Sequence, residues 1–106
     1  MVKKMNDIYN FLGLAYRAKN LVWGYQTVNQ NLKKGNIYLV ILATDTSPKF
    51  KSKFITLCHK YNSQELIFGK KNDIGAALGK PPCAVVGITD ENMAKTIWQK
   101  VLEVGV

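Results

Sequence analysis

The seven residues Ile37-Tyr38-Leu39-Val40-Ile41-Leu42-Ala43 are apolar without a break. A strand with one wet face alternates apolar and polar residues, because successive side chains point to opposite sides. A strand-length run without alternation needs both faces buried, as in a sheet with helices laid on each side. The flanking segments supply them. Residues 4–19 set Ile8, Phe11, Leu12, Ala15 and Ala18 at helical spacing, with Asn6 as a cap and Asn20 as a left-handed stop. Leu21-Val22-Trp23-Gly24 is a strand fragment, and Tyr25 to Lys34 reads as a helix closed by Gly35. Ser47 before Pro48 is a strong helix start, followed by an apolar stripe of Phe50, Phe54, Leu57, Cys58 and Tyr61. Glu65-Leu66-Ile67-Phe68 and Cys83 to Ile88 read as strands. Between them Asn72-Asp73 can cap a short helix over 74–78 that Gly79 ends. Thr89-Asp90-Glu91 opens the last helix, whose stripe is Met93, Ala94, Ile97, Trp98 and Val101.

The order is α-β-α-β-α-β-α-β-α. It implies the α/β class: a three-layer α/β/α sandwich whose small mixed four-stranded sheet is covered by helices on both faces. Every connection is short and no segment repeats, so a single domain is expected over 1–106.

Charge divides the chain unevenly. Residues 1–60 hold ten Lys and Arg against Asp7 and Asp45, while residues 61–106 hold five Lys against five acids. The whole net charge of +8 therefore lies in the first sixty residues. Such asymmetry points to a polyanionic partner, nucleic acid or an anionic membrane. No apolar run approaches the ~18 residues of a membrane span. The charged start Met1 to Asp7 has no apolar core of a leader peptide behind it. The two cysteines have no metal spacing and suit reduced thiols. A cytoplasmic location without a membrane partner is expected.

Catalytic patterns are weak. His59 is the only histidine, and its neighbour Cys58 points about 100° away on a helix. Gly75-Ala76-Ala77-Leu78-Gly79-Lys80-Pro81 has three residues between glycines where a phosphate loop needs four, and Pro81 where it needs Ser or Thr. The seven acids are scattered. No enzyme, cofactor or metal is expected.

Binding patterns are stronger. In the helix after Gly24, Tyr25, Val28 and Leu32 share one face, and Gln26, Thr27, Gln30, Lys33 and Lys34 share the other. That second face carries amides, a hydroxyl and ammonium groups with no carboxylate, a surface able to donate to base edges and phosphates. Loops 44–48 and 79–83 and Lys70-Lys71 can converge at one sheet edge. There Lys71 and Lys80 can reach phosphates, while Pro81, Pro82 and Cys83 offer an apolar ledge for an unstacked base. Trp23 and Tyr25 are read first as core aromatics and second as stacking residues.

In the light of these segments the chain resembles the ribosomal L-seven-Ae / L-thirty-e family of RNA-binding proteins, and more narrowly its bacterial YlxQ-type members. The resemblance runs from Phe11-Leu12-Gly13-Leu14-Ala15-Tyr16-Arg17-Ala18 to Val101. It includes Leu32-Lys33-Lys34-Gly35, Leu39 to Asp45, Ile74-Gly75-Ala76-Ala77-Leu78-Gly79 and Ala84 to Asp90. The resemblance implies an α/β/α sandwich that recognises kink-turn RNA. In that mode the second helix contacts tandem G·A pairs, and a later loop covers a flipped-out nucleotide. The family's helix motif is Gly-x-Asn-Glu-x-x-Lys, and the matching positions here are Gly24, Gln26, Thr27 and Gln30. Only the glycine is retained. Gln26 keeps the amide, Thr27 loses a carboxylate, and Gln30 loses a cation that Lys33 or Lys34 can partly replace. The covering loop matches Lys80-Pro81-Pro82-Cys83, and Ser47 and Lys71 match positions lining the flipped-base pocket. The implied function is that of a non-enzymatic, monomeric protein binding structured RNA, ribosomal or another kink-turn, in association with the ribosome or another RNP. The altered helix motif leaves a protein–protein adaptor on the same fold as the alternative.

Overall fold

The computed structural model describes residues 2–104, with side chains from Met5 onward. The charged amino-terminal stretch begins at Met1, which lies outside the described residues, as do Gly105 and Val106. The elements are α1 (Val2–Arg17), β1 (Leu21–Trp23), α2 (Tyr25–Lys33), β2 (Leu39–Leu42), α3 (Pro48–Lys60), β3 (Gln64–Ile67), α4 (Lys71–Leu78), β4 (Val85–Ile88) and α5 (Glu91–Glu103). The sheet order is β1-β4-β2-β3. β4 runs antiparallel to both β1 and β2, whereas β2 and β3 are parallel. The sheet is therefore mixed, as the sequence implied.

The unbroken apolar run is explained by two cores, one on each face of β2. Leu39, Ile41 and Ala43 point to one side and pack with Ile8 and Leu12 of α1, Ile74 of α4 and Ile97 of α5. Val40 and Leu42 point to the other and pack with Val28 and Leu32 of α2 and Phe54 and Cys58 of α3. All four β2 side chains are buried, each contributing roughly 1.5–3 kcal/mol of transfer free energy. Tyr38 departs from the pattern: it precedes the strand and is exposed.

Three local expectations are corrected. Asn6 does not cap the first helix, because α1 starts at Val2 and Asn6 lies inside it. Lys19, not Asn20, takes the left-handed conformation after α1 (φ 63°), with the Asn20 amide donating back to the Ala15 carbonyl at 2.8 Å. That six-residue closure places the reversed residue one position earlier, and it leaves Ala18 exposed beyond the helix. Asn72 and Asp73 do not cap α4, because they lie inside its first turn. The capping contact comes from another loop: the Lys71 amide donates to Asp45 Oδ1 at 2.9 Å. By contrast, Ser47 Oγ accepts from the Phe50 amide, and Asp90 accepts from the Met93 amide, as N-caps of α3 and α5.

Candidate nucleic-acid interface

Because β4 alone runs against the others, one edge of the sheet collects the ends of β1, β2 and β3 and the start of β4. The loops there are tied together by backbone hydrogen bonds. The Gly24 amide donates to the Val85 carbonyl at 3.1 Å, and the Ala43 amide to the Ala84 carbonyl at 2.9 Å. The Thr44 amide and hydroxyl both donate to the Gly69 carbonyl, at 2.7 and 2.9 Å. The Cys83 amide donates to the Lys71 carbonyl at 3.0 Å. Lys51 Nζ donates to the Thr44 carbonyl at 2.8 Å, holding the 44–48 loop on α3. Gly24, Ser47, Lys71 and the 80–83 loop thus share one edge.

α2 leaves this edge at Gly24, whose φ of 91° and ψ of 155° lie in a region reserved in practice for glycine. No side chain caps the helix and its first turn holds no acid, so its amide end suits an anion. Val28 and Leu32 are buried, and Gln26, Thr27, Gln30, Lys33 and Lys34 are exposed on the opposite face. Lys33 and Lys34 stand apart from the loop cluster, about 14 Å along the helix from Gly24.

In the 80–83 loop, Pro81 and Pro82 are exposed. A Cβ on Gly75 would meet the Lys80 carbonyl oxygen at 2.9 Å, so this glycine lets the loop lie directly on α4. Cys83 does not belong to the exposed ledge. It is buried, its Sγ donates to the Val85 carbonyl at 3.1 Å, and burial pushes its thiol pKa up. The amide bond to the Lys71 carbonyl holds Cys83 against α4, in the core with Ile74 and Leu78, while the prolines stay out. Lys71 is half-buried and Ser47 exposed; the Ser47 hydroxyl oxygen is engaged as the α3 cap.

The two aromatics of this region separate. Tyr25 packs in the core, with ring centroids 5.4 Å from Phe54 and 5.9 Å from Phe50. Trp23 belongs to neither core and is 36% exposed. It lines a groove of about 540 Å³ with Tyr16, Gly24, Gln26 and Thr27. Lys80 Nζ lies near both rings, 5.6 Å from the Trp23 ring centre and 5.8 Å from that of Tyr16. Tyr16 and Asp45 were not legible as members of this edge. Tyr16 sits in a helix repeat, and Asp45 in a turn whose partner is 26 residues away.

Nucleophilic chemistry finds little support in the thiol–imidazole pair. Cys58 is buried, its thiol pKa pushed up to about 12 by burial and then by Glu65, while His59 is exposed and lies 3.6 Å from Glu65. Among the described residues no three His, Cys, Asp or Glu side chains gather as metal ligands, and no helix is long and apolar enough to cross a membrane.

Comparison with known proteins places these features in a family. The model of the ribosomal protein L7Ae/L30e/S12e/Gadd45 family matches residues 6–97. The RNA-binding protein YlxQ of Bacillus subtilis (strain 168) is 28% identical over 89 residues, 84% of this chain and 89% of that protein. A solved structure of a protein of unknown function from Bacillus halodurans C has 29% identity and a TM-score of 0.85, covering 89% of this chain and 95% of its own. The 15.5kD RNA binding protein of Giardia lamblia shares the fold, with a TM-score of 0.77 at 19% identity over 96% of this chain and 88% of its own.

Proposed function

The chain belongs to the ribosomal protein L7Ae/L30e/S12e/Gadd45 family, and from that membership we propose that it is a non-enzymatic protein binding structured, kink-turn-like RNA. The observation that carries the proposal is one arrangement. The acid-free outer face of α2 rises from the same sheet edge that holds Lys80, Pro81 and Pro82. Gln26 presents both a donor and an acceptor to a base edge. Thr27 and Gln30 are shorter or neutral substitutes at the matching motif positions, so charge is supplied further along by Lys33 and Lys34. Lys71 and Lys80 hold phosphates beside the loop, and Ser47 lies at the adjoining corner. The protein acts as a monomer on ribosomal RNA or another kink-turn RNA, within the ribosome or another RNP.

The test is salt-dependent binding. Replacing Lys33 and Lys34 together by alanine should weaken binding across sequences. It should also lower the slope of log K against log salt by about 0.7–0.9 for each phosphate that is no longer neutralised. Failure of the unaltered protein to bind any structured RNA at ~100 mM salt, where phosphate-driven affinity persists, would overturn the proposal. Thr27 and Gln30 favour a second reading, a protein–protein adaptor. Its mark would be a protein partner that stays bound after ribonuclease treatment.

A further inference from the structure

We propose that Trp23 and Tyr16 form a stacking platform for an unpaired base of the bound RNA, with Lys80 as the cation for that nucleotide's phosphate. The inference rests on the RNA-binding proposal and adds a subsite to it. Large aromatics are normally spent on the core, and Tyr25, two residues on, is so used. Trp23 is not: it stands outside both cores, on β1 at one end of the sheet. The groove it lines, about 540 Å³, falls within the range of roughly 300–1,000 Å³ typical of small-ligand sites. No carboxylate lines it, and the exposed Gln26 and Thr27 line it together with Trp23. A base lying on Trp23 would therefore have its edge beside the face of α2 proposed to contact RNA.

Lys80 completes the subsite. At 5.6 and 5.8 Å from the two ring centres it sits near the ~6 Å limit for cation–π attraction. Such a weak contact is readily exchanged for a phosphate oxygen, and that exchange uncovers the rings. The platform is distinct from the corner formed by Ser47 and Lys71. Those residues follow β2 and β3, at the other end of the strand order from β1.

The chain has two tryptophans, so Trp98→Phe leaves Trp23 as the sole indole reporter. Titration of that variant with a kink-turn RNA, whose bend leaves nucleotides unpaired, should quench Trp23 emission. A fully paired duplex of equal length should quench it far less. In the otherwise unaltered chain, Trp23→Ala should weaken kink-turn binding roughly 5- to 150-fold, the span of base–aromatic stacking. Trp23→Phe should restore most of the affinity, and the salt slope should stay unchanged in both. Kink-turn binding with no quenching in Trp98→Phe, or with equal affinity for Trp23→Ala and the unaltered protein, would overturn the platform and leave the RNA-binding proposal standing. Absence of RNA binding by the unaltered protein would overturn both.

Discussion

Substituting Gly24 isolates the geometry that launches α2. A Cβ added there meets nothing within 4 Å, so alanine brings no collision, and the penalty is purely one of backbone conformation. The φ of 91° and ψ of 155° lie where a side chain costs about 1–3 kcal/mol. Gly79 makes the control. It too has open space around a notional Cβ, but its φ of 69° and ψ of 33° are ordinary left-handed values that asparagine adopts readily. Alanine should destabilise at both sites, by about 1–3 kcal/mol at Gly24 and about 1–2 kcal/mol at Gly79. Asparagine should be milder than alanine at Gly79 and no milder at Gly24. Urea unfolding with an unchanged m-value measures each shift, and in a domain of this size 1 kcal/mol moves Tm by about 4–8 °C. Equal tolerance of asparagine at the two positions would refute the assignment of strain to the start of α2.

Other outcomes follow from the remaining contacts. Asp45→Ala removes the acceptor at the first amide of α4 and should cost about 0.5–2 kcal/mol, with hydrogen exchange accelerating first in that helix; unchanged exchange there would show the contact to be idle. The Cys58 thiol pKa is raised from its ordinary 9.0 to about 12, so its contribution to stability is complete below about pH 9 and is lost as pH rises toward 12. Between pH 9 and 10 stability should fall by up to about 1.4 kcal/mol per pH unit through this thiol, a slope that Cys58→Ala should reduce; an identical slope in the variant would contradict the shift.

The fold was legible because its strongest signals are local. An unbroken run such as Leu39 to Leu42 can be buried only between two layers, and Ser47-Pro48 and Asp90 mark helix starts within a few residues. The face of α2 was equally legible, since helical periodicity separates Val28 and Leu32 from Gln26 and Lys33. Contacts between distant segments were not. Nothing in the Thr44-Asp45-Thr46 turn announces that Asp45 holds the first amide of α4. Trp23 in a three-residue apolar fragment reads as core until the sheet places it on an edge strand beside Tyr16. Cys83 reads as part of a rigid surface loop until its amide bond to Lys71 sets it in the core beside α4. In each case the deciding partner comes from an element far away in the chain.

Discrimination between RNAs tests the central proposal most directly. Affinity should be compared for a standard kink-turn and for the same RNA with its tandem G·A pairs replaced by Watson–Crick pairs, at one salt concentration. The amide of Gln26 reading a base edge, at roughly 1–3 kcal/mol for a well-placed pair of hydrogen bonds, predicts tighter binding to the intact kink-turn, with Gln26→Ala narrowing the gap. Equal binding of the two RNAs, unchanged by Gln26→Ala, would contradict kink-turn recognition through α2.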